Sequence, residues 1–132
     1  EPAVFARIVT QLHGAVEQVT EVSALKTLPR RFQQADGFVD ALLGIGLRGP
    51  VRPLYADMIH RINKSHKPII AVDVPSGLDA DTGQPRGVAI RAAATVTFGL
   101  PKRGFFIAQG PAHVGRLIVE DIGLPRRLLE RP

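Results

Sequence analysis

"VDALLGIGLRGPV", residues 39–51, spells G-x-G-x-x-G at Gly44, Gly46 and Gly49. A short apolar run precedes the glycines, and "PLYADMIHRINKS" (53–65) follows them. Pro53 suits a first helical turn, and Leu54, Met58, Ile59 and Ile62 share one helical face. Strand, glycine turn and helix in that order make a βα unit, so this stretch sets the fold class. A dinucleotide-binding fingerprint needs the same order plus an acid about 20 residues on, and Asp73 stands 24 residues after Gly49. Two details differ from that fingerprint. Pro50 and Pro53 keep the chain extended where a dinucleotide-binding helix would already have begun. Asp40 also places a charge in the strand, four residues before the first glycine. The glycines let backbone N–H groups approach an anion, with Arg48 adding charge beside them. The same letters also suit a tight βα turn with no ligand.

The rest of the chain extends the alternation. "GFVDALL" (37–43), "KPIIAVDV" (67–74), "ATVTFGL" (94–100) and "RLIVEDIG" (116–123) read as strands. Residues 3–13 carry Val4, Phe5, Ile8, Val9 and Leu12 at helical spacing and stop before Gly14. "AVEQV" (15–19) alternates apolar and polar, which predicts a short strand near a sheet edge. "SALKTLPRRFQQ" (23–34) opens on Ser23 as a helix cap, and Pro29 must end or kink any helix there. Strands separated by helical segments predict βαβ units and a mostly parallel sheet.

Composition bounds the alternatives. The chain has 132 residues, one domain's worth, with 45% hydrophobic and 22% charged residues, which is globular composition. It has no cysteine, which excludes disulfides and thiolate metal sites and fits a reducing, cytoplasmic compartment. No apolar run approaches the roughly 18 residues of a membrane span, and no secretory pattern opens the chain. The first residue is Glu1 rather than Met, from which we expect sequence removed upstream. The net charge of +5 comes mostly from 13 scattered arginines. With aromatics at 5%, the interleaved pattern of a nucleic-acid surface is missing, and Arg126, Arg127 and Arg131 are the nearest approach to a cluster. A solvated basic surface accounts for these charges, and a basic rim that draws in a phosphate-bearing small ligand is the functional alternative.

Asp40 and Asp73 are expected at the C-terminal ends of neighbouring strands, where open α/β sheets place their ligand crevice. Ser76 follows Asp73 across a turn stiffened by Pro75. Two carboxylates and a hydroxyl at one crevice can hold a hard cation through oxygen. They can also divide into a cation ligand and a proton-transfer acid. Taken singly, each carboxylate is equally a strand-end cap or half of a salt bridge. Competing motifs fail: "DADTG" (79–83) begins like a calcium loop, but its twelfth position is Ile90 rather than glutamate. Ser76 lacks the preceding glycine of a nucleophile elbow. His13, His60, His66 and His113 have no metal-ligand spacing.

"VDALLGIGLRGPVRPLY", "AVDVPSGLDADTG" and "TVTFGLPKRG", in this order, closely resemble the NAD(P)H-hydrate epimerase family, the YjeF N-terminal domain, over about Phe38 to Pro125. The resemblance implies a three-layer αβα Rossmann-like fold and a homodimer. It implies an isomerase that interconverts the R and S epimers of hydrated NADH or NADPH (NADHX, NADPHX), so that an S-specific, ADP- or ATP-dependent dehydratase, fused or separate, can restore the coenzyme. On this match Asp40 and Ser76 correspond to ligands of a potassium ion. Gly44, Ile45, Gly46, Leu47, Arg48, Gly49 and Pro50 correspond to the substrate-binding loop, and Asp73 to its substrate-binding aspartate. Two departures stand out. Ile45 occupies a position that is usually threonine, and the family's asparagine- and glycine-rich NNGGDG loop is absent, Asn63 being the only asparagine. The chain therefore resembles the C-terminal part of a single such domain, with its N-terminal part missing, and the isolated chain is expected to be inactive.

The implied substrate is a hemiaminal with a hydroxyl on nicotinamide C6. Inverting that centre needs a group that protonates an oxygen and a group that removes a proton, and one carboxyl can do both. Asp73 is the candidate catalytic residue, with potassium on Asp40 and Ser76 holding the loop. A nearby cation lowers a carboxyl pKa, whereas a general acid wants it raised. The rival reading is a non-catalytic scaffold of the same fold that binds another protein. A dehydrogenase that takes intact NADH is the third.

Overall fold

A computed structural model describes residues 2–27 and 29–125. Four strands form one sheet: β1 (Phe38–Asp40), β2 (Ile69–Val72), β3 (Ala94–Phe98) and β4 (Arg116–Glu120). Their order is β1-β2-β3-β4 and every pair is parallel, the sheet of a three-layer, Rossmann-like α/β fold. The helices are α1 (Pro2–Gln11), α2 (Pro29–Gln34), α3 (Pro53–Lys64) and α4 (Gly110–Val114), with a 3-10 turn at Val22–Thr27.

One face of the sheet is packed. Ile59 and Ile62 of α3 bury against Ile69 and Ile90, flanked by Phe38 and Phe32. A second cluster, Val74, Leu78, Ala89, Phe105 and Val114, is made largely by the irregular crossover between β2 and β3. The other face is apolar but open: Val39 is 72% exposed, Ile70 45% and Phe98 38%. Strands of a parallel sheet are apolar on both faces because a second layer covers the far side in folds of this class.

Local chemistry explains where the elements differ from the sequence reading. β1 stops at Asp40, three residues before the apolar run ends, because Leu42 and Leu43 spend their N–H groups on side chains of Asp40 and Ser76 instead of a strand ladder. "AVEQV" is not a strand; its alternation has no partner among the four strands described. Ser23 lies inside the 3-10 turn rather than ahead of it, and its hydroxyl donates to Glu21. Pro29 does break the segment, starting α2 as a new helix. α1 forms, yet Val4, Ile8, Val9 and Leu12 remain exposed. The tail arginines Arg126, Arg127 and Arg131 lie outside the described residues.

Candidate functional site

Asp40 ends β1 in register with Ala71, which pairs in turn with Thr95, so all three side chains point to the packed face. Only 1% of Asp40 is exposed. Its Oδ2 accepts the Ser76 N–H at 2.8 Å, and its Oδ1 faces the Leu42 N–H at 3.4 Å. Burial pushes its pKa up, opposed by the hydrogen bonds from Ser76 and Leu42. Ser76 is fully buried; its Oγ accepts from the Leu43 N–H at 2.9 Å and faces the Leu43 carbonyl at 3.3 Å. Asp40 and Ser76 therefore stitch the "VDALLG" and "VDVPSG" loops together from both sides. No basic side chain among the described residues pairs with Asp40.

The glycine loop beside this stitch is open. Gly44, Ile45, Gly46, Arg48, Gly49 and Pro50 are exposed and Leu47 is half-buried. The Leu47 N–H turns back to the Gly44 carbonyl at 3.3 Å, and Gly49 takes φ +77°. A Cβ built on Gly44, Gly46 or Gly49 meets no atom within 4 Å. Nothing in the protein itself forbids a side chain at Gly44 or Gly46. The loop lines a cleft of about 350 Å³ with Arg52 and Tyr55, and the Arg52 guanidinium lies 5.2 Å from the centre of the Tyr55 ring. α3 begins only at Pro53, so the loop is separate from the helix start, unlike a dinucleotide-binding turn. Gly77, by contrast, is forced by the chain: φ is +89° and a Cβ would sit 2.0 Å from the Val88 carbonyl.

Asp73 lies one residue past β2 at φ +65°, its N–H bonded to the Val96 carbonyl at 2.8 Å. The next N–H, from Val74, returns to Val72 at 2.9 Å, so the chain reverses tightly around the carboxylate. Aspartate tolerates this left-handed conformation better than most residues, at a cost of about 1 kcal/mol or more. One carboxylate oxygen is clamped. Oδ1 accepts from the Lys102 Nζ at 2.6 Å, the Thr97 Oγ1 at 3.0 Å and the Phe98 N–H at 3.2 Å. Oδ2 has no hydrogen-bond partner among the described residues. Burial raises the Asp73 pKa, but the hydrogen bonds from Lys102, Phe98 and Thr97 outweigh it and hold the carboxyl below its ordinary value.

The arrangement thus joins Asp40, Ser76 and the start of the glycine loop directly, whereas no hydrogen bond links Asp73 to them. Asp73 reaches toward β3 instead. Both residues sit at the C-terminal edge of the sheet, Asp40 at the end of β1 and Asp73 just past the neighbouring β2. The sequence reading missed Lys102 and Thr97. Lys102 lies 29 residues beyond Asp73, carried back to it by the Gly99 turn (φ +70°), and no periodicity signals such a pair. Asp79, which opened the calcium-like "DADTG", serves its own turn, accepting from the N–H groups of Asp81 and Thr82 and pairing with Arg86.

The family described as YjeF-related protein N-terminus matches residues 3–104. An NAD(P)H-hydrate epimerase of Limosilactobacillus fermentum is 47% identical over 93 residues, 70% of this chain and 45% of that protein. A bifunctional NAD(P)H-hydrate repair enzyme of Moorella thermoacetica is 50% identical over 95 residues, 72% of this chain and 18% of that protein. Its counterpart in Pyrobaculum aerophilum is 46% identical over 118 residues, 89% of this chain and 24% of that protein. The chain spans less than half the length of these curated relatives.

Proposed function

The chain belongs to the YjeF-related protein N-terminus family, and on that premise we propose that it carries the acid–base and phosphate-gripping part of an NAD(P)H-hydrate epimerase. The observation that carries the reading is the Asp73 carboxylate, with one oxygen clamped by Lys102, Thr97 and the Phe98 N–H and the other open. A lowered pKa makes Asp73 a carboxylate at neutral pH, hence a base first, and the Lys102 ammonium beside it is a proton donor. On the leaving-and-returning route, the C6–O bond breaks with its electron pair on oxygen. That oxygen takes a proton and departs as water, while the ring nitrogen lone pair stabilises the cation left behind. Water then adds to the other face and gives its proton to the carboxylate. On the ring-opening route the hydroxyl loses its proton as the C6–N bond breaks, the nitrogen takes a proton, and reclosure reverses both. Either route returns every atom and proton, and either uses one base and one acid.

Gly44–Pro50, with Arg48 in front, offer peptide N–H groups and a guanidinium to the diphosphate. Asp40 and Ser76 suit potassium: a buried carboxylate without a cationic partner among the described residues, a buried hydroxyl and the Leu43 carbonyl are hard oxygen donors near one another. Held there, the ion would neutralise Asp40 and brace the two loops. We further propose a homodimer, a cytoplasmic setting and an ADP- or ATP-dependent dehydratase working on the product.

The test is R-to-S conversion of NADPHX, followed by chromatography against the spontaneous rate, in the full-length protein with potassium present. Asp73→Asn retains an acceptor for Thr97 and Phe98 and so keeps the fold, but loses about 10²–10⁴-fold in turnover. Arg48→Ala raises KM with less effect on kcat. Full turnover in Asp73→Asn refutes the assignment, and an inactive wild type moves the protein to the scaffold reading. Turnover unchanged when potassium is replaced by tetramethylammonium removes the ion.

A further inference from the structure

A second cleft, about 540 Å³, lies at the opposite edge of the sheet. His66, Arg91 and His113 each stand three residues ahead of β2, β3 and β4 respectively, and because the strands are parallel all three residues gather at the N-terminal edge. His60 and Lys64, one turn apart on α3, complete the basic side chains of the lining, and no carboxylate lines the cleft. Asp40 and Asp73 belong to the C-terminal edge, so this is a separate place. Neither Lys64 nor Arg91 has an acidic partner among the described residues.

Hydrogen bonds tie the walls together. Asn63 donates to the Ala89 carbonyl at 3.0 Å and accepts the Arg91 N–H at 3.0 Å, which fixes α3 against the 89–91 segment. His113 is 6% exposed, and its Nδ1 lies 2.7 Å from the Ile90 carbonyl. A carbonyl only accepts, so Nδ1 carries the proton, and Nε2 is left without a protein partner while its ring lines the cleft. An imidazole with its tautomer set and no protein partner for Nε2 among the described residues, lining a cleft shared with two cations that have no acidic partner among those residues, is a prepared contact.

From this arrangement we propose that the cleft binds the phosphate group of an organic phosphate monoester. Two fixed positive charges match a dianion, and a guanidinium takes two phosphate oxygens at once. Phosphate loses its second proton near pH 6. Near neutrality it can therefore present a P–OH to Nε2 while its other oxygens face the two cations. A carboxylate, ionised well below that range, has no such proton to donate. Val88 and Ala89 supply an apolar wall for the organic part, and the volume exceeds what a phosphate alone needs.

Calorimetry on the full-length protein tests this with three probes: inorganic phosphate, phenyl phosphate and acetate. Phenyl phosphate is expected to bind more tightly than phosphate, and acetate not at all. The double variant K64Q/R91Q, at two exposed side chains, loses about tenfold or more in phenyl phosphate affinity, with NADPHX epimerisation unchanged. Binding also shifts the His113 imidazole signals in NMR spectra of the wild type. Affinity that survives K64Q/R91Q, or that disappears in R48A while K64Q/R91Q retains it, overturns the proposal and assigns the anion elsewhere. Equal binding of acetate, or no binding of either phosphate, overturns it as well.

Discussion

Replacing Lys102 by methionine, which keeps the unbranched stem as far as Cε and removes the charged Nζ, separates catalysis from scaffolding at Asp73. The Nζ lies 2.6 Å from Asp73 Oδ1, 2.9 Å from Thr97 Oγ1, 3.1 Å from the Phe98 carbonyl and 3.2 Å from the Leu100 carbonyl. Three protons thus serve four acceptors around one charge. A hydrogen bond to a charged group contributes about 1.5–3 kcal/mol when buried. Here the side chains of Lys102 and Asp73 are 19% and 26% exposed, so water replaces part of what is lost. An expected cost of about 1–2 kcal/mol follows, read from urea denaturation. A loss of that size leaves the protein folded at assay temperature, so a purely structural lysine would leave kcat nearly untouched. A proton donor would not: turnover falls about 10²–10⁴-fold. Removing Lys102 also removes the leading hydrogen bond that lowers the Asp73 pKa, so the acid limb of the kcat/KM profile moves to higher pH. The double variant with Asp73→Asn costs little more than either single change, because the two act as a unit. Wild-type kcat/KM in Lys102→Met, or an acid limb that does not move, refutes the assignment.

Glycines supply a paired prediction. Gly46→Ala, in open space, leaves stability within about 0.5 kcal/mol while raising KM for the hydrate, whereas Gly77→Ala costs about 3 kcal/mol or more and lowers the yield of folded protein; a stable Gly77→Ala contradicts the packing described. The 79–86 turn gives a pH prediction. The Thr82 N–H above all, with the Asp81 N–H and Arg86, draws the Asp79 pKa down from 3.8 to about 2. Its native value is depressed, so the stabilisation is present above pH 3.8 and fades as pH falls toward 2. NMR titration of the Thr82 and Gly83 amides shows this as a midpoint near 2 that vanishes in Asp79→Asn, and a midpoint at the ordinary carboxyl value contradicts it.

Alternating apolar runs and Pro-started helices made the parallel sheet legible, because a strand buried on its packed face must be apolar whatever surrounds it. Strand-end position brought Asp40, Asp73 and Ser76 together on paper, and the structure joins only Asp40 to Ser76, because the turn after the neighbouring strand supplies the N–H that a buried carboxylate needs. Lys102 had no such signal. It bonds Asp73 only because Gly99 reverses the chain and Pro101 follows, and the partnership spans 29 residues without any period. "AVEQV" misled in the opposite direction, since alternation specifies a strand only where another strand's edge is available to pair.

The quoted glycines show where sequence and structure each carry information. On paper Gly44, Gly46 and Gly77 are the same letter near the same crevice. In space, Gly77 is required by the protein, with a carbonyl 2.0 Å from where its Cβ would be. Gly44 and Gly46 have empty volume in front of them and backbone conformations that other residues can adopt. Glycine raises the conformational cost of folding, so its use where the fold does not need it has to be offset by something outside the fold. A ligand that approaches the backbone closely is such a benefit. Adjacent Arg48, and Arg52 on the rim of the same cleft, suit an anionic ligand, which supports the proposed phosphate grip even though α3 starts too late for a dinucleotide-binding turn.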